Sequence, residues 1–220
     1  MKNRLSVIGL VLLVHPVIAQ DWSLTGNAGT NPATHFLGTT DNVSLVFRRN
    51  NVQAGLLDQY DNTFFGMNAG VKTVPNFMLV EGLNNTGIGT AALRQNTTGI
   101  FNTALGELAL NNNTTGNNNT AVGSRALDNC TVGGLNTAVG YDALGSCTGS
   151  SNTAVGVGAL SFSAGVSENV ALGSGALSRN RAGSRGVAIG YWAMHYANNT
   201  TSAFNNQNVA IGFEALRGST

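Results

Sequence analysis

From residue 62 onward the apolar and polar positions of the chain recur in one short phrase. It reads Asn, Thr or Val, Ala, a branched aliphatic, Gly, two variable residues, Ala and Leu. Clear copies begin at Asn102 ("NTALGELAL"), Asn119 ("NTAVGSRAL"), Asn136 ("NTAVGYDAL"), Asn152 ("NTAVGVGAL"), Asn169 ("NVALGSGAL") and Asn208 ("NVAIGFEAL"). Weaker copies begin at Asn62, Asn85 and Gly186. The separations along the chain are 23, 17, 17, 17, 16, 17, 17 and 22 residues. A period held this tightly predicts a solenoid with one coil per repeat.

Within each phrase the alternation has a period of two, which predicts a short strand. Thr and the aliphatic share one face, and Ala and Gly share the other. The following Ala-Leu is a second apolar touch-down. The "NNNTTGNN" type of connector is rich in turn formers, because Asn tolerates the left-handed region and Gly enters it freely. Seventeen residues hold a strand, a corner, a second extended piece and another corner. A helix pair does not fit, and the glycine content opposes helix. Stacked coils then form parallel strands about 4.8 Å apart. A lone coil buries an aliphatic and a leucine, about 1.5–3 kcal/mol each, against about 1–2 kcal/mol per ordered residue. Stability therefore belongs to the array. On this reckoning Val139 is an interior residue.

Residues 20–61 carry no repeat, and within them "NVSLVFRRN" alternates like a strand. This predicts a small N-terminal β cap over the first coil, which an open solenoid end requires. Residues 62–220 form the array. The chain stops inside a repeat, which is expected of a fragment or of an end that another chain covers.

Composition narrows the class. Only 10% of the residues are charged, with 29 glycines and 3 prolines. Small apolar side chains at this density exclude a solvated coil, and a formal charge of +1 without a basic stripe excludes a nucleic-acid binder. Residues 1–19 read as a secretory signal peptide, with Lys2 and Arg4 before "SVIGLVLLV" and cleavage after Ala19. No later segment has the length of a membrane span. The mature protein is expected outside the cell or on its surface.

The phrases "NVALG" and "NVAIG" resemble the repeated "SVAIG" motif in the heads of YadA-like trimeric autotransporter adhesins. "NTAVGYDAL" followed by "NTTG" types is also similar to secreted and tail-fibre-like bacterial repeat proteins. The resemblance covers about residues 62–216 for the roll and 22–51 for the leader. It implies a left-handed parallel β-roll, here of about nine coils, and three chains side by side. The period is longer than the usual adhesin repeat, and no stalk heptads, barrel anchor or chaperone domain are found in these residues. With the small Ala and Gly face, the resemblance places Ala121, Ala138, Ala154 and Ala171 at the contact between chains. It implies an exported structural and adhesive role, a rigid homotrimeric head or fibre segment facing an unknown surface or host ligand. A tail-fibre-like shaft lacking its functional domain is the first alternative. An ice-binding solenoid is the second.

Reactive side chains are sparse. His35 and His195 are far apart, and Glu107, Asp128, Asp142, Glu168 and Glu214 are isolated in sequence. No spacing suits acid–base catalysis or a metal cage, so no enzyme and no cofactor are expected. Cys130 and Cys147 are 17 residues apart, in the phase held elsewhere by Asn96, Asn113, Ser163 and Asn180. They read either as a disulfide rung between coils or as two reduced thiols in an Asn column. The "NTT" sequons read as ladder residues that hydrogen-bond along the axis. Tyr141, Tyr191, Trp192, Phe213, His195 and Tyr196 are the candidate contacts for a ligand or a neighbouring chain. The two long repeats add six residues at 71–83 and five at 194–207, and insertions in solenoids map to loops.

Overall fold

The structure is a computed structural model. It describes residues 31, 36–146, 149–163, 165–196, 202 and 204–218. The signal segment, His35 and Cys147 lie outside the described residues, as do 197–201 and 203 in the second long repeat. The chain divides into two units, Met1–Gly38 and Thr39–Thr220. In the first unit only residues 31 and 36–38 are described. The rest of this subsection concerns the second.

That unit is a parallel β-solenoid. It opens with a hairpin of β1 (Leu45–Arg49) and β2 (Val52–Leu57), and β2 lies antiparallel on β3 (Thr63–Phe65). From β3 the direction is constant. β4 (Thr86–Ile88), β5 (Thr103–Leu105), β6 (Thr120–Val122), β7 (Thr137–Val139), β8 (Thr153–Val155) and β9 (Val170–Leu172) stack in parallel. β10 (Gly183–Ser184) and β12 (Phe204–Asn205) pair separately, while β11 (Val187–Ile189) and β13 (Val209–Ile211) complete the main sheet of 11 strands. Steps from Thr86 to Val187 are 17, 17, 17, 16, 17 and 17 residues, giving six regular turns between longer ones of 23 and 22. The hairpin covers the β3 edge, which is the cap the unrepeated segment predicts.

Equivalent residues stand in register, so every repeat position becomes a column. Three apolar columns fill the interior. They are the strand alanines (Ala104, Ala121, Ala138, Ala154, Ala171, Ala188), the alanines of the second touch-down, and the leucines from Leu93 to Leu177 with Met194 after them. The first coil puts Phe64 in the strand-alanine column. Glycine then replaces the column residue at 70 and 87, where a Cβ would come within 2.4 and 2.9 Å of the Phe64 ring.

Two expectations are corrected here. Ala138 has no exposed surface, and Ala121, Ala154 and Ala171 are as deeply buried, so none of the four can meet a neighbouring chain. Val139 is 37% exposed and stands outside the coil, not in it. The reason is spatial. A 17-residue coil with leucine and asparagine columns inside leaves a gap that fits a methyl group and no more. Larger aliphatics must turn outward.

The motif asparagines bind the coils together. The backbone N–H and Nδ2 of Asn85 both donate to Asn62 Oδ1, at 2.8 and 3.1 Å. Asn102 does the same to Asn85, and so on through Asn119, Asn136, Asn152 and Asn169. The other amide hydrogen closes the same coil, as from Asn102 to the Gly116 carbonyl at 2.8 Å. Each motif amide from Asn85 to Asn169 thus has its side-chain oxygen and nitrogen both engaged. Asp58 starts the column, accepting from the Asn62 backbone and Nδ2 at 2.8 Å each. The motif glycines form a further column at φ near +130°, and a Cβ on Gly140 would lie 2.7 Å from the Gly156 oxygen. Only glycine allows that approach.

Candidate functional site

Three surface features depart from the repetitive Asn, Thr and Gly coat. The first is the outer face of the main sheet. Since Ala points inward, the residues on either side of it point outward. One column runs Thr63, Thr86, Thr103, Thr120, Thr137, Thr153, Val170, Val187, Val209. The other runs Phe65, Ile88, Leu105, Val122, Val139, Val155, Leu172, Ile189, Ile211. All nine rows of the second column are aromatic or aliphatic, and none is buried. At about 4.8 Å per row this makes an apolar stripe about 38 Å long. A contiguous stripe of this kind is uncommon on a solvated surface.

The second feature is an aromatic corner that gathers five of the six candidate contact residues. Tyr191 stacks on Phe213 with ring centres 5.5 Å apart and on Trp192 at 5.1 Å. Trp192 stacks on His195 at 4.8 Å, and His195 meets Tyr196 edge-on at 4.3 Å. Trp192 is covered on both sides. A Cβ on Gly175 of the preceding coil would touch its ring at 2.4 Å. The Arg217 guanidinium of the next coil sits 4.4 Å over that ring. His195 Nδ1 is held 2.7 Å from Ser178 Oγ and 3.0 Å from the Gly175 carbonyl. Trp192, His195 and Tyr196 therefore spend their ring faces on one another, on backbone and on arginine, whereas Tyr191 and Phe213 stay 45 and 75% exposed. Tyr141, the sixth candidate, stands apart and exposed. Tyr141 is the main cause that raises the pKa of the Arg125 guanidinium in the preceding coil above its ordinary value.

The carboxylates are also occupied. Asp128 lies 3.6 Å from Arg125, Glu168 lies 2.8 Å from Arg185, and Glu214 lies 2.9 Å from Arg217. Asp142 has its pKa raised, chiefly by burial, with Arg125 opposing and Asp128 adding to the rise. Among the described residues no three His, Cys, Asp or Glu side chains gather into a metal site. No helix among them is long and apolar enough to cross a membrane.

Cys130 is buried in one column with Asn96, Asn113, Ser163 and Asn180. In that column Asn113 Nδ2 donates to Asn96 Oδ1 at 2.7 Å. Cys130 is disulfide-bonded. The chain has two cysteines.

The third feature is the turn of the first long repeat. It closes between Asn76 and Glu81 and presents Phe77, Met78, Leu79 and Val80 to solvent. Sequence reasoning marked this insertion only by its length. The four consecutive apolar residues were the stronger signal.

No protein-family model, no curated protein and no solved structure matches this chain.

Proposed function

We propose that the chain is an exported structural and adhesive protein, a rigid segment in which copies associate side by side as a homotrimer and present a surface for attachment. The observation that carries this reading is the outward aliphatic column from Phe65 to Ile211. Its side chains cannot turn in, because the alanine columns fill the interior. Covering them removes apolar surface from water at about 25 cal/mol per Å². A second copy with the same straight ladder is the partner of matching period. The resemblance to adhesin heads supports three copies. The charge-poor exterior and engaged ring faces favour a structural role over chemistry at a pocket.

Light scattering of the mature protein tests the assembly, with three times the chain mass expected. A compact monomer at micromolar concentration sinks the trimer. One observation favours a rival. Thr63 to Thr153 form six successive rows of hydroxyls in register, the kind of regular array that could order water in an ice-binding solenoid. Thermal hysteresis separates the two. A trimer without hysteresis supports the structural reading, and a monomer with it supports the rival.

A further inference from the structure

We propose that the turn 76–81 is an apolar tip that enters the surface of a lipid bilayer. Phe77, Met78, Leu79 and Val80 are 73, 88, 65 and 55% exposed. Four neighbours this open neither pack on the coil nor shield one another. They stand together at the tip of a turn that closes between Asn76 and Glu81, and a fluid apolar phase can cover such a tip without a shaped partner surface.

The backbone of the tip fits that medium. Unpaired N–H groups are costly away from water, and here three of the four tip donors, those of Met78, Leu79 and Val80, are closed within the turn. Asn76 and Glu81 exchange both backbone hydrogen bonds, at 2.7 and 3.0 Å. The Asn76 side-chain oxygen accepts from the N–H groups of Met78 and Leu79, at 3.1 and 3.2 Å. Val80 adopts φ +56° and donates to the Phe77 carbonyl at 3.4 Å. The base is fixed to the next coil, where Val74 and Gly82 donate to the Thr97 and Thr98 carbonyls at 3.1 and 3.0 Å. The result is a stiff mount with an apolar point. No equivalent turn of the regular coils carries four consecutive apolar residues.

The inference is independent of the assembly proposed above. Its test is flotation of the full mature chain with vesicles of phosphatidylcholine alone and of phosphatidylcholine with phosphatidylglycerol. Binding to both, persisting in half-molar salt, is expected of apolar insertion. The paired change Phe77→Ser and Met78→Ser should weaken it by about tenfold or more, with thermal unfolding and scattering mass unchanged. Four results overturn the proposal. They are no flotation of the native chain, flotation that survives the paired change, binding only to anionic vesicles and released by salt, and a loss of scattering mass in the variant. The last would make the tip a contact between chains.

Discussion

A single carboxyl shows how little slack the corners have. Asp142 follows Tyr141 at φ +53°, and burial raises its pKa with Asp128 adding to the rise. The folded chain then holds this proton more tightly than the unfolded chain. Between the ordinary carboxylate pKa and the raised one, the folded state binds more protons, so stability falls as pH rises through that window. At neutral pH the ionised group works against the fold. Asp142→Asn keeps the shape, tolerates the left-handed conformation, and removes the charge. It should stabilise the protein at pH 7 by less than about 1 kcal/mol, since solvent screens much of the effect, and should flatten the acid limb of stability. Urea titrations of both proteins between pH 3 and pH 7 check this. A variant less stable at pH 7, or one with an unchanged acid limb, contradicts it.

At the scale of the element, the motif asparagines carry both the closure of each coil and its attachment to the last. Asn119→Ala leaves the Asn136 backbone N–H and the Gly133 carbonyl without the side chain they use at 3.0 and 2.8 Å. Two buried groups without partners should cost about 2–4 kcal/mol. Asn112 makes a rung of similar form to Asn129 at 2.9 Å, but in solvent, and Asn112→Ala should cost less than about 0.5 kcal/mol. Equal losses in urea unfolding for the two would refute the division between inner and outer ladders. The existence and phase of the columns were legible in the sequence, because a 17-residue period fixes which residues stack. Which face of the strand turns inward was misread. Hydrophobicity argues for burying Val139 over Ala138, yet the array itself holds the opposite clue. The outward position accepts Phe65, Ile88, Leu105 and Val122 alike, while the inward one stays Ala except for the first two coils. Constancy of size, not apolarity, marks the confined side. The aromatic corner was legible only as a set of names. Its use of ring faces depends on Gly175 and Arg217 in neighbouring coils, and no local pattern reveals that.

For the whole molecule the reversed face changes which substitution tests which property. The monomer is held by its alanine, leucine and asparagine columns, whereas association would draw on the Thr and aliphatic columns. Ala138→Asp puts a carboxylate where there is no exposed surface and no room for it. It should cost more than about 3 kcal/mol and open the middle coils. Val139→Asp places the same group one residue on, at a site 37% exposed, where water can solvate it. A single chain should then unfold within about 1 kcal/mol of the parent. In an assembly the same carboxylates would be drawn together in an apolar seam, which disfavours association. The expected pattern is therefore folded monomers for Val139→Asp and unfolded chains for Ala138→Asp, read by circular dichroism with light scattering at the same concentration. If Val139→Asp keeps the parent mass, the aliphatic column is not where the chains meet, and the solenoid would stand without the proposed interface.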